Sequence, residues 1–127
     1  MMTATVKRPI FLNLLQIKLP IAGILSILHR ISGAALFLAI LPVLYLLELS
    51  LSGQQGFAEA TALSHGWFFG LVVFVLVWSL LHHLLAGLRY LLIDVHVGVE
   101  KPVYRQTAWA VVAAAPLLAF VVTGVLL

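Results

Sequence analysis

The stretch "SILHRISG", Ser26 to Gly33, sets a hydroxyl, an imidazole and a guanidinium inside an otherwise apolar run, and "HHLLAGLR", His82 to Arg89, repeats the theme further along. These side chains offer distinct chemistries. A neutral imidazole such as His83 presents a lone pair to a metal, Arg30 a permanent positive charge with forked donors, and Ser26 a hydroxyl proton. Ser26, Arg30 and Gly33 recur at i, i+4 and i+7, so one helix face presents the hydroxyl, the guanidinium and then a gap without a side chain. His83 and Gly87 are four apart, which sets a candidate metal ligand beside a gap on its own face. Such gaps suit a flat cofactor. His82 stands about 100° from His83 around the helix, so only one of the two is expected as an axial ligand. For His82 the expected role is a hydrogen bond to a carbonyl of a neighbouring helix.

The elements that position these groups must lie in a membrane. The chain is 64% hydrophobic and 9% charged, with a mean hydropathy of +1.20, whereas soluble domains are roughly half apolar and a quarter charged. Its 127 residues leave room for a few spans with short connections, read here as a single membrane-anchor domain over 1–127. The seven Lys and Arg give a formal charge of +3, but they flank apolar segments instead of forming a patch, which argues for topology signals and against nucleic acid as a partner. The absence of cysteine excludes disulfides, iron–sulfur ligation and covalent haem attachment by this chain.

Three apolar segments predict an all-α integral membrane fold with three transmembrane helices over about 21–49, 67–94 and 109–127. A short amphipathic segment within 1–20, bracketed by Pro9 and Pro20, is expected to lie along the cytoplasmic interface. About 20 mixed residues precede the first apolar run and no small-residue cleavage site follows it, so it is not read as a signal peptide. Pro116 inside the third segment is tolerated in membrane helices when neighbours satisfy the freed carbonyl. Lys7, Arg8 and Lys18 precede the first span and Lys101 and Arg105 lie between the second and third, while "SLSGQQGFAEATALSHG" carries no Lys or Arg. The positive-inside rule then puts the N-terminus in the cytoplasm and the C-terminus on the opposite, periplasmic side. A bacterial inner membrane is expected, since no Arg- and Ser-rich transit sequence is evident.

Depth brings the polar residues together. Arg30 lies about ten residues beyond Pro20 and His83 about eleven residues from Asp94, which puts them roughly 15 and 16 Å from the same face. Ionisable groups at that depth are costly and face a bundle interior, a partner or a cofactor. Ser26, His29, Arg30 and His83 therefore predict one polar site in the cytoplasmic half. Arg89 either snorkels to the interface or pairs with an anion such as a propionate, a lipid phosphate or Asp94. Trp67, Trp78, Trp109 and Tyr104 read as packing or interface aromatics, and Gly33 and Gly87 have helix packing as their alternative role. A transporter would need a polar stripe through the whole membrane, and the outer half of each span is apolar. A purely structural anchor accounts for the spans but not for the polar layer.

With these residues placed, "RPIFLNLLQIKLPIAGILSILHRISG" followed by "HHLLAGLRYLLID" resembles the cytochrome b membrane-anchor (C subunit) family of succinate dehydrogenase, respiratory complex II. The resemblance rests on the leading Arg-Pro, on "SxxHRxSG", on "HxxxGxRxxxxD" and on the three-span length, and covers nearly the whole chain. It implies that His83 is an axial ligand of a b-type haem shared with a sister anchor subunit, which supplies the second histidine. It further implies that His29 and Arg30 meet the haem propionates, and that Ser26 and Arg30 border a quinone. Electrons from succinate oxidation in a flavoprotein subunit would reach that quinone through an iron–sulfur subunit, leaving no residue of this chain in succinate chemistry. A fumarate reductase anchor is the neighbouring alternative. Tyr90 departs from the pattern, following Arg89 where many bacterial relatives have His; it can donate one hydrogen bond but cannot carry an imidazolium charge.

Overall fold

The computed structural model of the chain describes residues 18–127. Most of the expected interfacial segment, residues 1–17, lies outside the described residues. Four helices follow: α1 (Ile21–Leu51), α2 (Gln54–Leu63), α3 (Trp67–Asp94) and α4 (Val103–Leu126). Among the described residues there is no strand. As predicted, α1, α3 and α4 are long and apolar enough to cross a membrane. Their 31, 28 and 24 residues correspond to roughly 46, 42 and 36 Å of helix, against about 30 Å of hydrocarbon, so each leaves turns at the interface or is tilted.

Two boundaries differ from the sequence reading. The third long helix begins at Val103 instead of near Trp109, because the apolar run marks the hydrocarbon-embedded part whereas backbone hydrogen bonding starts earlier. Tyr104 already donates its amide to the Glu100 carbonyl, and Arg105 and Gln106 to that of Pro102. The connection after α1 contains α2, a helix of ten residues with no Lys or Arg and a mixed surface. It is bracketed by Gly53 at φ 113° and Gly66 at φ 99°, conformations that other L-residues rarely adopt. These two glycines end one helix direction and start the next.

α3 is the central element, with α1 and α4 packed against it and meeting each other less. The interior is built from small and polar side chains: Ser79, His82, Ala86 and Arg89 are buried on α3, and Ala108, Ala115, Ala119 and Thr123 on α4. Leu25, Ala86 and Ala108 form the common core, wrapped by Ile21, Tyr90, Val111 and Val112. Large apolar residues point outward instead, Leu41 being 77% and Phe120 75% exposed. This inversion follows from the solvent: lipid tails are as apolar as Leu, so close backbone approach at small residues holds the helices together. Pro42 and Pro116 lie inside α1 and α4, and both helices continue through them, as neighbouring groups in a membrane bundle permit.

Candidate functional site

The expected polar layer forms where α1 crosses α3. His29 of α1 and His83 of α3 stack with ring centroids 4.0 Å apart and planes 10° from parallel, and Tyr90 meets the His29 ring edge-on at 5.3 Å. The two glycines each face the opposite helix. A Cβ added at Gly33 would lie 2.8 Å from His83 Cε1 and 3.1 Å from Nδ1, while one at Gly87 would lie 3.7 Å from His29 Nε2. Each gap thus receives the imidazole of the opposite helix, and the gap at Gly33 is the tighter. The gaps serve close packing of the two helices, the alternative role their spacing also allows.

The hydrogen bonds of His83 fix which nitrogen can bind a metal. Nδ1 lies 3.0 Å from the His29 carbonyl oxygen, an acceptor only, so the proton sits on Nδ1 and Nε2 keeps its lone pair. Ser32 donates to the same carbonyl at 2.9 Å and stands 3.5 Å from Nδ1. Among the described residues Nε2 has no hydrogen-bond partner. An N–H bond to a carbonyl behind a free ring nitrogen is the usual support of a metal-bound histidine. Ser32, fully buried, had no assigned role in the sequence; its position three residues after His29 was the available signal.

No group of three or more His, Cys, Asp or Glu among the described residues could hold a bare ion. A haem iron fits this donor set, since the macrocycle brings four nitrogens and one axial imidazole per chain suffices. Beyond His83, one to two turns along α3, the seam opens into an apolar groove of about 310 Å³ between Leu36, Ile40 and Val43 of α1 and Leu76, Val77 and Leu80 of α3.

On the outward side of α1, Arg30 donates from Nη2 to Ser26 Oγ at 3.1 Å and from Nε to the Ser26 carbonyl at 3.3 Å. The predicted i, i+4 pair therefore exists. Because Oγ accepts from the guanidinium, the hydroxyl proton is left for an outside acceptor. Arg30 is exposed, and at its depth within a span a cation requires an external partner.

Arg89 behaves differently from the sequence expectation, and His82 follows it in part. Arg89 is 6% exposed, so it does not snorkel; it donates from Nε to Thr107 Oγ1 at 3.0 Å and from Nη2 to the Tyr104 carbonyl at 2.9 Å, with the Tyr104 ring 4.7 Å away. The partner is α4 and not Asp94, a choice set by tertiary packing. Thr107 was not singled out in the sequence, and no local spacing points to it. His82 is fully buried beside Trp78, centroids 5.5 Å apart, and neither ring nitrogen has a hydrogen-bond partner. The Leu25 backbone of the neighbouring α1 faces the ring, as the sequence reading expects of a neighbouring-helix carbonyl, but outside hydrogen-bonding geometry.

The chain is similar to known proteins over most of its length. The family model for the succinate dehydrogenase/fumarate reductase transmembrane subunit matches residues 4–123. A succinate dehydrogenase cytochrome b556 subunit from Coxiella burnetii is 36% identical over 121 residues, covering 94% of this chain and 95% of its own length. The cytochrome b556 subunit of Paracoccus denitrificans is 33% identical over 112 residues, covering 88% and 86%. A cytochrome b560 subunit from Reclinomonas americana is 35% identical over 100 residues, covering 75% and 69%.

Proposed function

The chain belongs to the succinate dehydrogenase/fumarate reductase transmembrane subunit family, and on that premise we propose that it holds one side of a b-type haem and part of a quinone-reduction site in a succinate dehydrogenase. The three relatives described above are all named succinate dehydrogenase subunits, which favours that direction of electron flow over fumarate reduction. The observation that carries the reading is the His83 Nδ1 bond to the His29 carbonyl, which leaves Nε2 free at the depth of Arg30. His83 would hold the haem iron through Nε2, with a second histidine from a sister anchor subunit. Haem b bound there would supply one-electron transfer.

The remaining groups act through charge and hydrogen bonding. His29, stacked on His83, and Arg30, next to it in sequence, would hold the propionates, Arg30 as a fixed cation and His29 through its ring nitrogens. Ser26 donates its hydroxyl proton to a quinone carbonyl oxygen, while the Arg30 guanidinium behind it stabilises the negative charge that develops there on reduction. Orientation by Arg30 Nη2 keeps the Ser26 proton pointed outward. A dry, apolar span strengthens both effects. Flavoprotein and iron–sulfur subunits deliver the electrons from the cytoplasmic side of a bacterial inner membrane, where the Lys and Arg bias sets the α1 and α4 N-termini.

Membranes carrying Ser26→Ala test this assignment. Quinone reduction by succinate should fall roughly 10-fold or more, the scale of removing one donor to a developing oxyanion, while succinate oxidation by an artificial dye stays unchanged. Quinone turnover equal to wild type would return Ser26 to helix packing.

A further inference from the structure

Away from the His29–His83 layer, the bundle opens where α1 and α4 begin. A cavity of about 470 Å³ lies between Pro20, Ile21 and Ala22 of the α1 entry and Lys101, Arg105 and Trp109 at the start of α4. Arg105 and Trp109 stand four apart on α4, and Lys101 in the turn before it lines the same wall, so two cations and an indole face the cavity. Tyr104 lines the same cavity, and behind it the Arg89 guanidinium stacks on its ring with Nη1 buried and unpartnered. Two positive charges thus line one side of a space that is apolar on the other, with the Arg89 charge behind the Tyr104 ring. Neither α1 nor α4 has an acidic residue in its first turn or a side-chain cap, so the helix dipoles add to the field instead of being neutralised. Glu100 lines a separate cavity with His96.

We propose that this cavity binds the phosphate of an anionic phospholipid, with Lys101 and Arg105 on the phosphate and Trp109 and Ile21 against the glycerol and first acyl carbons. The charge selects a phosphate, and the indole selects the depth, since Trp and Tyr gather at the headgroup boundary. The apolar wall distinguishes a lipid from free phosphate. Basic pockets between membrane helices on the cytoplasmic side have this chemistry. The bound lipid would bridge the α1 entry and the start of α4, one turn before Ser26.

The complex extracted from its native membrane and stripped of lipid by detergent provides the test. Phosphatidylglycerol, phosphatidylcholine and inorganic phosphate are titrated separately into wild type and into Lys101→Gln/Arg105→Gln, with binding read by native mass spectrometry and by the thermal midpoint. Phosphatidylglycerol should bind wild type and raise its midpoint, and the double variant should bind it roughly 30-fold more weakly, the equivalent of about 1 kcal/mol for each basic residue. Phosphatidylcholine should bind weakly to both. Equal phosphatidylglycerol affinity in wild type and variant would overturn the site, and a midpoint rise with inorganic phosphate matching that with phosphatidylglycerol would overturn the lipid. Should the double variant fail to assemble, Arg105→Gln against Arg105→Lys decides: weakening by roughly 5-fold only in the former is expected, from the loss of one such charge, and equal affinity in both contradicts the proposal.

Discussion

Arg89, on the α4 side of α3, is buried and donates to both Thr107 and the Tyr104 carbonyl, whereas Arg30, beside the α1–α3 seam, bonds only to Ser26 of its own helix and stands exposed. The two adjacent histidines differ as well. His82 is enclosed next to Trp78, while His83 donates through Nδ1 and keeps Nε2 free. On the α4 side the Arg89 Nε and Nη2 donors are spent within the bundle, and small residues close the seam. The other orients its polar groups and leaves their outward atoms available. Residue type alone does not separate structural from functional polar groups in this bundle; the direction in which the remaining donors and lone pairs point does.

Breaking the closed seam should have the largest energetic effect. Arg89→Leu removes two charge-assisted bonds between α3 and α4 and should destabilise the assembled protein by about 2–4 kcal/mol, read as a lowered thermal midpoint with the haem bands retained in the surviving fraction. Retained stability would mean that Arg89 does not tie the helices. Disturbing the open seam should show a different signature. Gly33→Leu forces a side chain into the space of the His83 ring, an overpacking of about 1–3 kcal/mol that should lower haem affinity roughly 10-fold or more. Haem titration measures it, and unchanged affinity would dissociate Gly33 from the site.

Smaller substitutions sharpen the contrast. Thr107→Val deletes one acceptor of Arg89 and should cost about 1 kcal/mol with no change in quinone turnover. Gly87→Ala places its Cβ at ordinary contact distance from His29 and gains helix propensity, so its stability should lie within about 1 kcal/mol of wild type. A severe defect there would show that the two glycine positions are equally tight.

The three spans were legible because long runs of high mean hydropathy with few or no charges have one reading. The layer was legible too, since depth along two antiparallel helices brings residues near 29 and 83 level without any contact information. α2 was not, because a ten-residue helix with mixed composition carries no hydropathy signal and its limits depend on Gly53 and Gly66 backbone angles. The Arg89 partner was hidden for another reason: Thr107 lies on a different helix, and i, i+4 logic reaches only within one. The gaps at Gly33 and Gly87 were visible, but what fills them required knowing that each faces the imidazole across the seam.

Reduced-minus-oxidised absorbance spectra of assembled complexes carrying His83→Ala and His82→Ala test the division between the seams most directly. The b-type bands should vanish or shift in His83→Ala and persist in His82→Ala. Bands unchanged in an assembled His83→Ala complex would contradict the assignment of His83 as the ligand.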